Sequence, residues 1–233
     1  MRDVLTEKNI NSLGKGANIF LHMHKFEEFM MMYSCAMKEV KTKFEILKDD
    51  MTVRHNRNPI EAIKTRLKRP ESIYDKLKRL GCEISVQSVI ENINDVAGVR
   101  VICSFVDDIY EIADIFSKQD DITVLKIKDY IKNPKPNGYR SYHMIVEIPV
   151  FFADHKRPMK VEVQFRTIAM DFWASLEHKM KYKCGIPETQ GIMNELKECA
   201  DVIFEADRKM LMIREKVEKS EKLTGKKEIN FTA

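Results

Sequence analysis

Apolar residues recur at helical spacing in the first part of the chain, between residues 24 and 49. They lie three or four residues apart, at Phe26, Met30, Tyr33, Met37, Val40 and Phe44. This spacing places side chains on one face of an α-helix. The pattern therefore predicts a long amphipathic helix, whose methionine-rich face packs either in the core or against another subunit.

Turn and cap residues mark two shorter helices downstream. Asn58 and Pro59 predict the start of a short helix, because proline fits the first helical turn. Pro70 is placed in the same way at the start of a second helix, which Gly81 would end.

Alternating apolar and polar residues then predict a sheet with helices around it. We expect strands at residues 97–104, 122–129, 140–148 and 159–167, and helices at about 107–118, 168–183 and 190–220. This order predicts an α+β fold with a mixed β-sheet of four to five strands flanked by helices. We divide the chain into an N-terminal helical extension (1–57), a central domain (58–183) and a C-terminal helix and tail (184–233). Residues 1–20 and the lysine-rich end are expected to be loosely ordered.

Composition narrows the class of protein. Apolar residues make up 44% and charged residues 33% of the chain, and no apolar run approaches the length of a membrane span. The N-terminal stretch MRDVLTEKNINSLGKG lacks the apolar segment of a secretory signal. The five cysteines lie far apart without C-x-x-C spacing, which predicts neither a disulfide framework nor a zinc site. We therefore expect a cytoplasmic protein.

A basic stretch, residues 64–79, carries seven cations against two acids. Within its predicted helix, Ser72, Lys76 and Arg79 share one face, while apolar residues one position later share another. Arg66 and Lys68 lie just upstream, beside the helix N-terminus, where free backbone N–H groups favour phosphate. The stretch is either a phosphate site or an ordinary solvated face.

Two predicted strands carry acids. In MKVEVQFRT (159–167), Glu162 lies on the polar face together with Gln164, opposite an apolar face. Asp95 precedes another strand, followed by Gly98 and Arg100. If these strands are neighbours, the two carboxylates suit a Mg²⁺ ion that bridges nucleotide phosphates. On an isolated strand, Glu162 would be an ordinary surface acid.

The stretch NPKPNGYRSYH (133–143) places an aromatic ring on a stiff cationic turn. Lys135 precedes Tyr139, and alternation along the following strand would put Tyr139, Ser141 and His143 on one face. A flat ring beside cations is a stacking platform for a nucleotide base. Neither G-x-x-x-x-G-K-[ST] nor G-x-G-x-x-G occurs, so side-chain cations and metal would meet the phosphates.

Four stretches in this order resemble the synthetase domain of RelA/SpoT homologues, and the short chain resembles a small alarmone synthetase. They are RLKRPESIYDK (66–76), DVAGVRVIC (95–103), YIKNPKPNGYRSYH (130–143) and VEVQFRTIAMDFWASLEHKMKYK (161–183). The resemblance implies a nucleotidyltransferase-like α+β fold. It also implies Mg²⁺-dependent transfer of the β,γ-pyrophosphate of ATP to the ribose 3'-hydroxyl of GDP or GTP, which yields AMP and the stringent-response alarmone (p)ppGpp.

The resemblance also assigns roles to residues by their motif positions. ATP and its phosphates would be held by Arg66, Lys68, Ser72, Lys76, Arg79 and Arg100. Asp95 and Glu162 would be the catalytic acids and bind Mg²⁺, with Glu162 as the candidate base for the 3'-hydroxyl. The acceptor GDP or GTP would be held by Lys128, Lys135, Tyr139, His143, Gln164 and Glu177, with Tyr139 stacked on guanine.

Small synthetases of this kind commonly form tetramers through their terminal helices, so the resemblance implies a homo-oligomer. Some of them bind an alarmone between subunits, which makes an alarmone or RNA a candidate regulatory ligand. Asp171 and Ala62 depart from the amide and the aromatic residue expected in the allosteric type, which argues against alarmone control. Two alternatives stay open. One is a toxic relative that pyrophosphorylates the 3' end of tRNA, and the other is a catalytically silent nucleotide-binding or RNA-binding regulator. Intact Asp95 and Glu162 argue against silence.

Overall fold

The protein has a central β-sheet, and a long helix lies at each end of the described part of the chain. The computed structural model describes residues 15–55, 57–184 and 190–224. Its elements are α1 (Lys15–His55), β1 (Ile60–Leu67), α2 (Pro70–Leu80), α3 (Val86–Asn92), β2 (Ala97–Cys103), α4 (Val106–Ser117), β3 (Thr123–Asp129), β4 (Tyr142–Phe151), β5 (Lys156–Thr167), α5 (Ile168–Cys184) and α6 (Gln190–Thr224). The expected loose ends lie largely outside the described residues, at 1–14 and 225–233.

The sheet has five strands in the order β1-β2-β5-β4-β3. β2 and β5 are parallel, whereas the other neighbouring pairs are antiparallel. The predicted α+β class and mixed sheet are therefore confirmed. The parallel pair is the one that brings the segment after Asp95 beside the segment that carries Glu162.

Helices α1 and α4 cover one face of this sheet and form the core with it. The ring of Phe44 on α1 stacks on that of Phe116 on α4, with centroids 4.4 Å apart, and meets Phe165 of β5 edge-on at 5.6 Å. All three side chains are fully buried. Burial of each such ring contributes about 1.5–3 kcal/mol. The apolar face predicted for the first helix thus packs on the sheet of its own chain.

One predicted element is wrong. Asn58 and Pro59 do not begin a helix; β1 starts at Ile60. The backbone carbonyl of Pro59 accepts a hydrogen bond from Ser104 N (3.2 Å), and Ile60 lies opposite Cys103 in the ladder with β2. Proline is equally compatible with the start of a strand, and pairing with β2 decides between the two conformations.

The second short helix follows its prediction closely. It runs from Pro70 to Leu80, and Gly81 ends it with a left-handed φ of 69°. The apolar face of this helix packs only in part. Ile73 and Leu77 are buried as expected, whereas Leu80 is exposed in the last turn. The sequence interpretation missed α3, although Ser85 caps it by accepting a hydrogen bond from Ser88 N.

Across the residues that the structure describes, none of the helices combines the length and the apolar character that crossing a bilayer would require.

Candidate active site

The sheet face opposite α1 and α4 carries a row of polar residues, one from each strand. Each lies opposite the next in the ladder, in the order Lys64, Arg100, Gln164, His143 and Lys128. Neighbouring strands are about 4.8 Å apart, so these side chains line one continuous surface. The row combines residues predicted for the ATP half with residues predicted for the acceptor half. We call this surface the polar row.

The two predicted catalytic acids lie on this side of the sheet. Glu162 pairs with Gly98 across the parallel strands. Asp95, two residues before β2, accepts hydrogen bonds from Lys68 Nζ (2.9 Å) and Lys76 Nζ (2.7 Å). Burial alone would raise the pKa of Asp95, but the two lysines outweigh it and lower this pKa below its ordinary value. Asp95 is therefore ionised at neutral pH.

Glu162 lies between two neighbours from the polar row. Gln164 donates a hydrogen bond to its carboxylate (2.7 Å), and His143 Nδ1 lies 3.4 Å from Oε1. Burial raises the pKa of Glu162, but these contacts with His143 and Gln164 lower it below its ordinary value overall. The negative charge of Asp95 acts in the opposite direction on the pKa of Glu162, so the two acids are close enough to repel each other.

These two carboxylates suit a magnesium ion. Mg²⁺ prefers hard oxygen ligands and commonly takes one or two carboxylates together with substrate phosphates. Among the described residues no group of three or more His, Cys, Asp or Glu side chains could hold a metal by itself. The donor set therefore fits a metal that arrives with a nucleotide, and Lys68 and Lys76 balance the charge of Asp95.

The stretch of residues 133–141, here called the acceptor turn, is tied down at several points. Lys135 N donates to Tyr139 O (3.2 Å), and Gly138 N donates to Lys135 O (2.8 Å). Gly138 has a φ of 86°, which an L side chain rarely adopts. The side chain of Asn137 accepts from Tyr139 N and donates to Glu177 Oε1 (3.1 Å) on α5. These contacts fix the conformation of the turn.

The hydroxyl of Tyr139 lies in a directed chain of hydrogen bonds. Arg166 can only donate, so its bond to the hydroxyl oxygen (2.8 Å) leaves the hydroxyl proton for His143 Nε2, 2.8 Å away. The ring proton of His143 then lies on Nδ1, which faces Glu162. Lys135 Nζ lies 4.7 Å from the centre of the Tyr139 ring. Tyr139 is thus connected through His143 to Glu162.

One part of the predicted acceptor face is wrong. β4 begins at Tyr142, so Tyr139 and Ser141 precede the strand and do not alternate along it. Ser141 is buried and donates a hydrogen bond to the backbone carbonyl of Phe165 (2.9 Å), which removes it from the ligand side. Lys128 is exposed on the edge strand, as a residue that meets phosphate would need to be.

The predicted ATP cations divide into two groups. Arg66 and Arg79 are exposed, and within the described part of the chain they form no ion pair. Ser72 lies half-buried on α2. Lys68, Lys76 and Arg100 instead hold acids of the site.

Sequence reasoning missed Asp171 and Arg166 as site residues. Asp171 lies in the first turn of α5, directly after β5, and is buried. It contacts Lys64, Arg100 and Arg166. The available signal was its position in the first helical turn after the strand that carries Glu162, but nothing along the chain links it to residues 64 and 100.

Comparison with known proteins gives a consistent result. A family model described as a region found in RelA / SpoT proteins matches residues 65–187. GTP pyrophosphokinase YwaC of Bacillus subtilis is 45% identical over 196 residues, which cover 84% of this chain and 93% of that protein. GTP pyrophosphokinase YjbM of the same organism is 32% identical over 203 residues, covering 87% of this chain and 95% of that protein.

Solved structures agree. Small alarmone synthetase 2 from Bacillus subtilis superimposes with a TM-score of 0.74 at 43% identity, over 82% of this chain and 98% of that one. Small alarmone synthetase 1 from the same organism, bound to its product pppGpp, gives a TM-score of 0.77 at 32% identity, over 83% of this chain and 98% of that one. The resemblance drawn from the four sequence stretches is confirmed, and the chain belongs to the RelA/SpoT family.

Proposed function

We propose that this protein is a (p)ppGpp synthetase, a GTP pyrophosphokinase that transfers the β,γ-pyrophosphate of ATP to the ribose 3'-hydroxyl of GDP or GTP. The observation that carries the proposal is the junction of two half-sites on one sheet face. Asp95 and Glu162 lie between the cations of α2 and the acceptor turn. The names of the relatives, GTP pyrophosphokinases, agree with this reaction.

The donor half is built to neutralise phosphate charge. Lys68 and Lys76 flank Asp95, and Arg66 and Arg79 are exposed nearby on β1 and α2. Ser72 and Arg100 complete the set proposed to bind ATP. Pyrophosphoryl transfer depends mainly on positioning and charge neutralisation, which this concentration of cations provides without a covalent intermediate.

The acceptor half consists of the acceptor turn and the end of the polar row. We propose that guanine stacks on Tyr139, with Lys128, Lys135 and His143 near the 5' phosphates and with Gln164 and Glu177 alongside. Lys135 lies over the Tyr139 ring, so a base that stacks on this face would displace its ammonium group. Its charge would then be available to the phosphates.

Glu162 is the proposed base. Because its pKa is lowered, it is ionised at neutral pH and can accept the proton of the 3'-hydroxyl. The 3'-oxygen forms the new bond to the β-phosphorus, the bond between that phosphorus and the α,β-bridging oxygen breaks, and AMP leaves with the electron pair. The contacts from Gln164 and His143 hold the carboxylate in one orientation for this transfer.

Magnesium is the proposed cofactor, with Asp95 and Glu162 as its protein ligands. When bound with ATP it supplies charge neutralisation of the pyrophosphoryl group. As a magnesium ligand, Asp95 would lose its hydrogen bond to Lys68 or to Lys76. The ammonium group of that lysine would then be available to the phosphates.

The function is tested by incubating the purified full chain with ATP labelled in the β-phosphate, Mg²⁺, and GDP, GTP or tRNA, followed by anion-exchange separation. We expect label in ppGpp or pppGpp and an equal amount of AMP. Glu162→Gln is the matched control, since it keeps the shape of the side chain and removes the charge; it should abolish transfer while guanine nucleotide still binds. Label in tRNA alone, or in no product, would contradict the proposal.

The remaining features are proposals that follow from this reaction. Its substrates are the free nucleotide pools, so we propose a cytoplasmic enzyme. We also propose a homo-oligomer, most simply a tetramer, joined through α1 and α6, where Met31, Val202 and Met210 among others are exposed. Alarmone or RNA as a regulatory ligand stays a prediction.

A further inference from the structure

Asp171 is a buried acid with an unusual number of cations. Its Oδ2 accepts from Lys64 Nζ (2.9 Å), and its Oδ1 accepts from Arg100 Nη1 (3.0 Å) and from Arg166 Nη1 (3.1 Å). Only 6% of the residue is exposed. Lys64 extends to solvent, whereas the side chain of Arg166 is 5% exposed. The inner contacts are therefore those with the two arginines.

The two arginines serve different halves of the site. Arg100 lies on β2 beside Gln164 in the polar row and belongs to the set proposed to bind ATP. Arg166 lies near the end of β5 and donates to the hydroxyl of Tyr139 on the acceptor turn (2.8 Å). The guanidinium group of Arg166 also lies 5.2 Å from the centre of the Tyr139 ring.

A single carboxylate oxygen joins these halves. Both guanidinium groups bond to Oδ1 of Asp171, so a shift of either group changes the geometry available to the other. The positive charge of Arg166 also acts against that of Arg100. Without an anion between them, the arginines would repel each other and separate.

We propose that Asp171 is a positioning residue that sets the ATP half and the acceptor half in mutual register. This rests on the proposed function for the identity of the two nucleotides. Asp171 touches neither nucleotide in this scheme and acts through Arg100 and Arg166. Its loss should weaken both nucleotides together and reduce turnover, because the 3'-oxygen and the β-phosphorus would no longer be aligned.

The test is nucleotide binding by calorimetry, with AMPCPP as the ATP probe and GTP as the acceptor probe. AMPCPP is seen bound in a solved structure of small alarmone synthetase 1 from Bacillus subtilis. We expect Asp171→Asn to weaken each probe about tenfold or more, the scale of a lost charge-assisted hydrogen bond. Added to Arg100→Ala, Asp171→Asn should have little further effect on AMPCPP; added to Arg166→Ala, it should have little further effect on GTP.

Asp108→Asn is the matched control. Asp108 is also a buried acid that contacts two arginines, Arg57 and Arg214, but it lies on α4, on the other side of the sheet. It should lower the melting temperature while both binding constants stay unchanged. If Asp171 had only a structural role, Asp171→Asn would lower the melting temperature and leave both binding constants unchanged. That result would overturn the proposal, and so would effects of Asp171→Asn on binding that add fully to those of the arginine variants.

A second measurement decides the question even if Asp171→Asn fails to fold. Because one oxygen holds both arginines, Arg100→Ala should also weaken GTP, and Arg166→Ala should also weaken AMPCPP, each by about threefold or more. If each arginine variant affected its own nucleotide alone, the link through Asp171 would be refuted. Nucleotide binding is measured independently of product formation. A failure of the proposed role of Asp171 can therefore be distinguished from a failure of the proposed reaction.

Discussion

Gly138→Ala should destabilise the protein and disturb the acceptor side selectively, because helix α6 rests on this glycine. A Cβ added at Gly138 would lie 2.5 Å from the Cβ of Ala200 and 3.1 Å from the Cα of Lys197. It would also occupy a φ of 86°. Gly81 is a matched control, since its φ is 69° but an added Cβ would meet nothing within 4 Å.

The two glycines separate backbone strain from the clash. A left-handed conformation costs a residue with a side chain roughly 1–2 kcal/mol, and both alanine variants would carry this cost. Overpacking costs about 1–3 kcal/mol more, and only Gly138→Ala should carry it. For a chain of this size, the excess corresponds to a fall in melting temperature of roughly 2–12 °C beyond that of Gly81→Ala.

The assay is thermal unfolding followed by circular dichroism, combined with steady-state kinetics. Gly138→Ala should raise the acceptor KM more than the ATP KM, since the acceptor turn must shift to admit the methyl group. Ala200→Gly removes the nearest atom, so the double variant should be more stable than the sum of the two single effects predicts. Equal melting temperatures for the two glycine variants, or strict additivity with Ala200→Gly, would show that α6 does not press on the turn.

Three further outcomes are expected. Tyr139→Ala should raise the acceptor KM by roughly one to two decades through lost stacking, whereas Tyr139→Phe should raise it less, because the ring is kept and only the bonds to Arg166 and His143 are lost; equal KM values for the two variants would contradict this. Light scattering at micromolar concentration should give a mass well above 27.3 kDa, and a monomer would exclude the proposed assembly. Burial raises the pKa of Asp207 above 3.8 despite its bond to Thr167, so the folded state binds the proton more tightly and stability should fall as pH rises through the folded pKa. Between pH 3.8 and the folded pKa, urea titrations should therefore show the free energy of unfolding of Asp207→Asn increasing relative to that of the unmodified protein. A difference that does not change with pH would show that burial does not raise the pKa of Asp207.

Some features could be predicted from the sequence because their causes are local. The spacing of apolar residues in α1, the proline and glycine at the two ends of α2, and the alternation around Glu162 are all properties of short segments. Motif positions then indicated the candidate residues of the site. In the structure Asp95 and Glu162 lie on one side of the sheet, Lys68 and Lys76 bond to Asp95, and Arg100 bonds to Asp171.

Other features were decided only by tertiary structure. Alternation along a strand states which face is apolar but not which strand lies beside it, so the sequence alone could not establish the parallel pairing that sets Gly98 opposite Glu162. Pro59 fits both a helix start and a strand start, and the ladder with β2 selected the strand. The packing of α6 on Gly138 and the sharing of Asp171 between Arg100 and Arg166 join residues far apart in the chain. Such contacts depend on the summed packing of the whole fold, which no local pattern of residues contains.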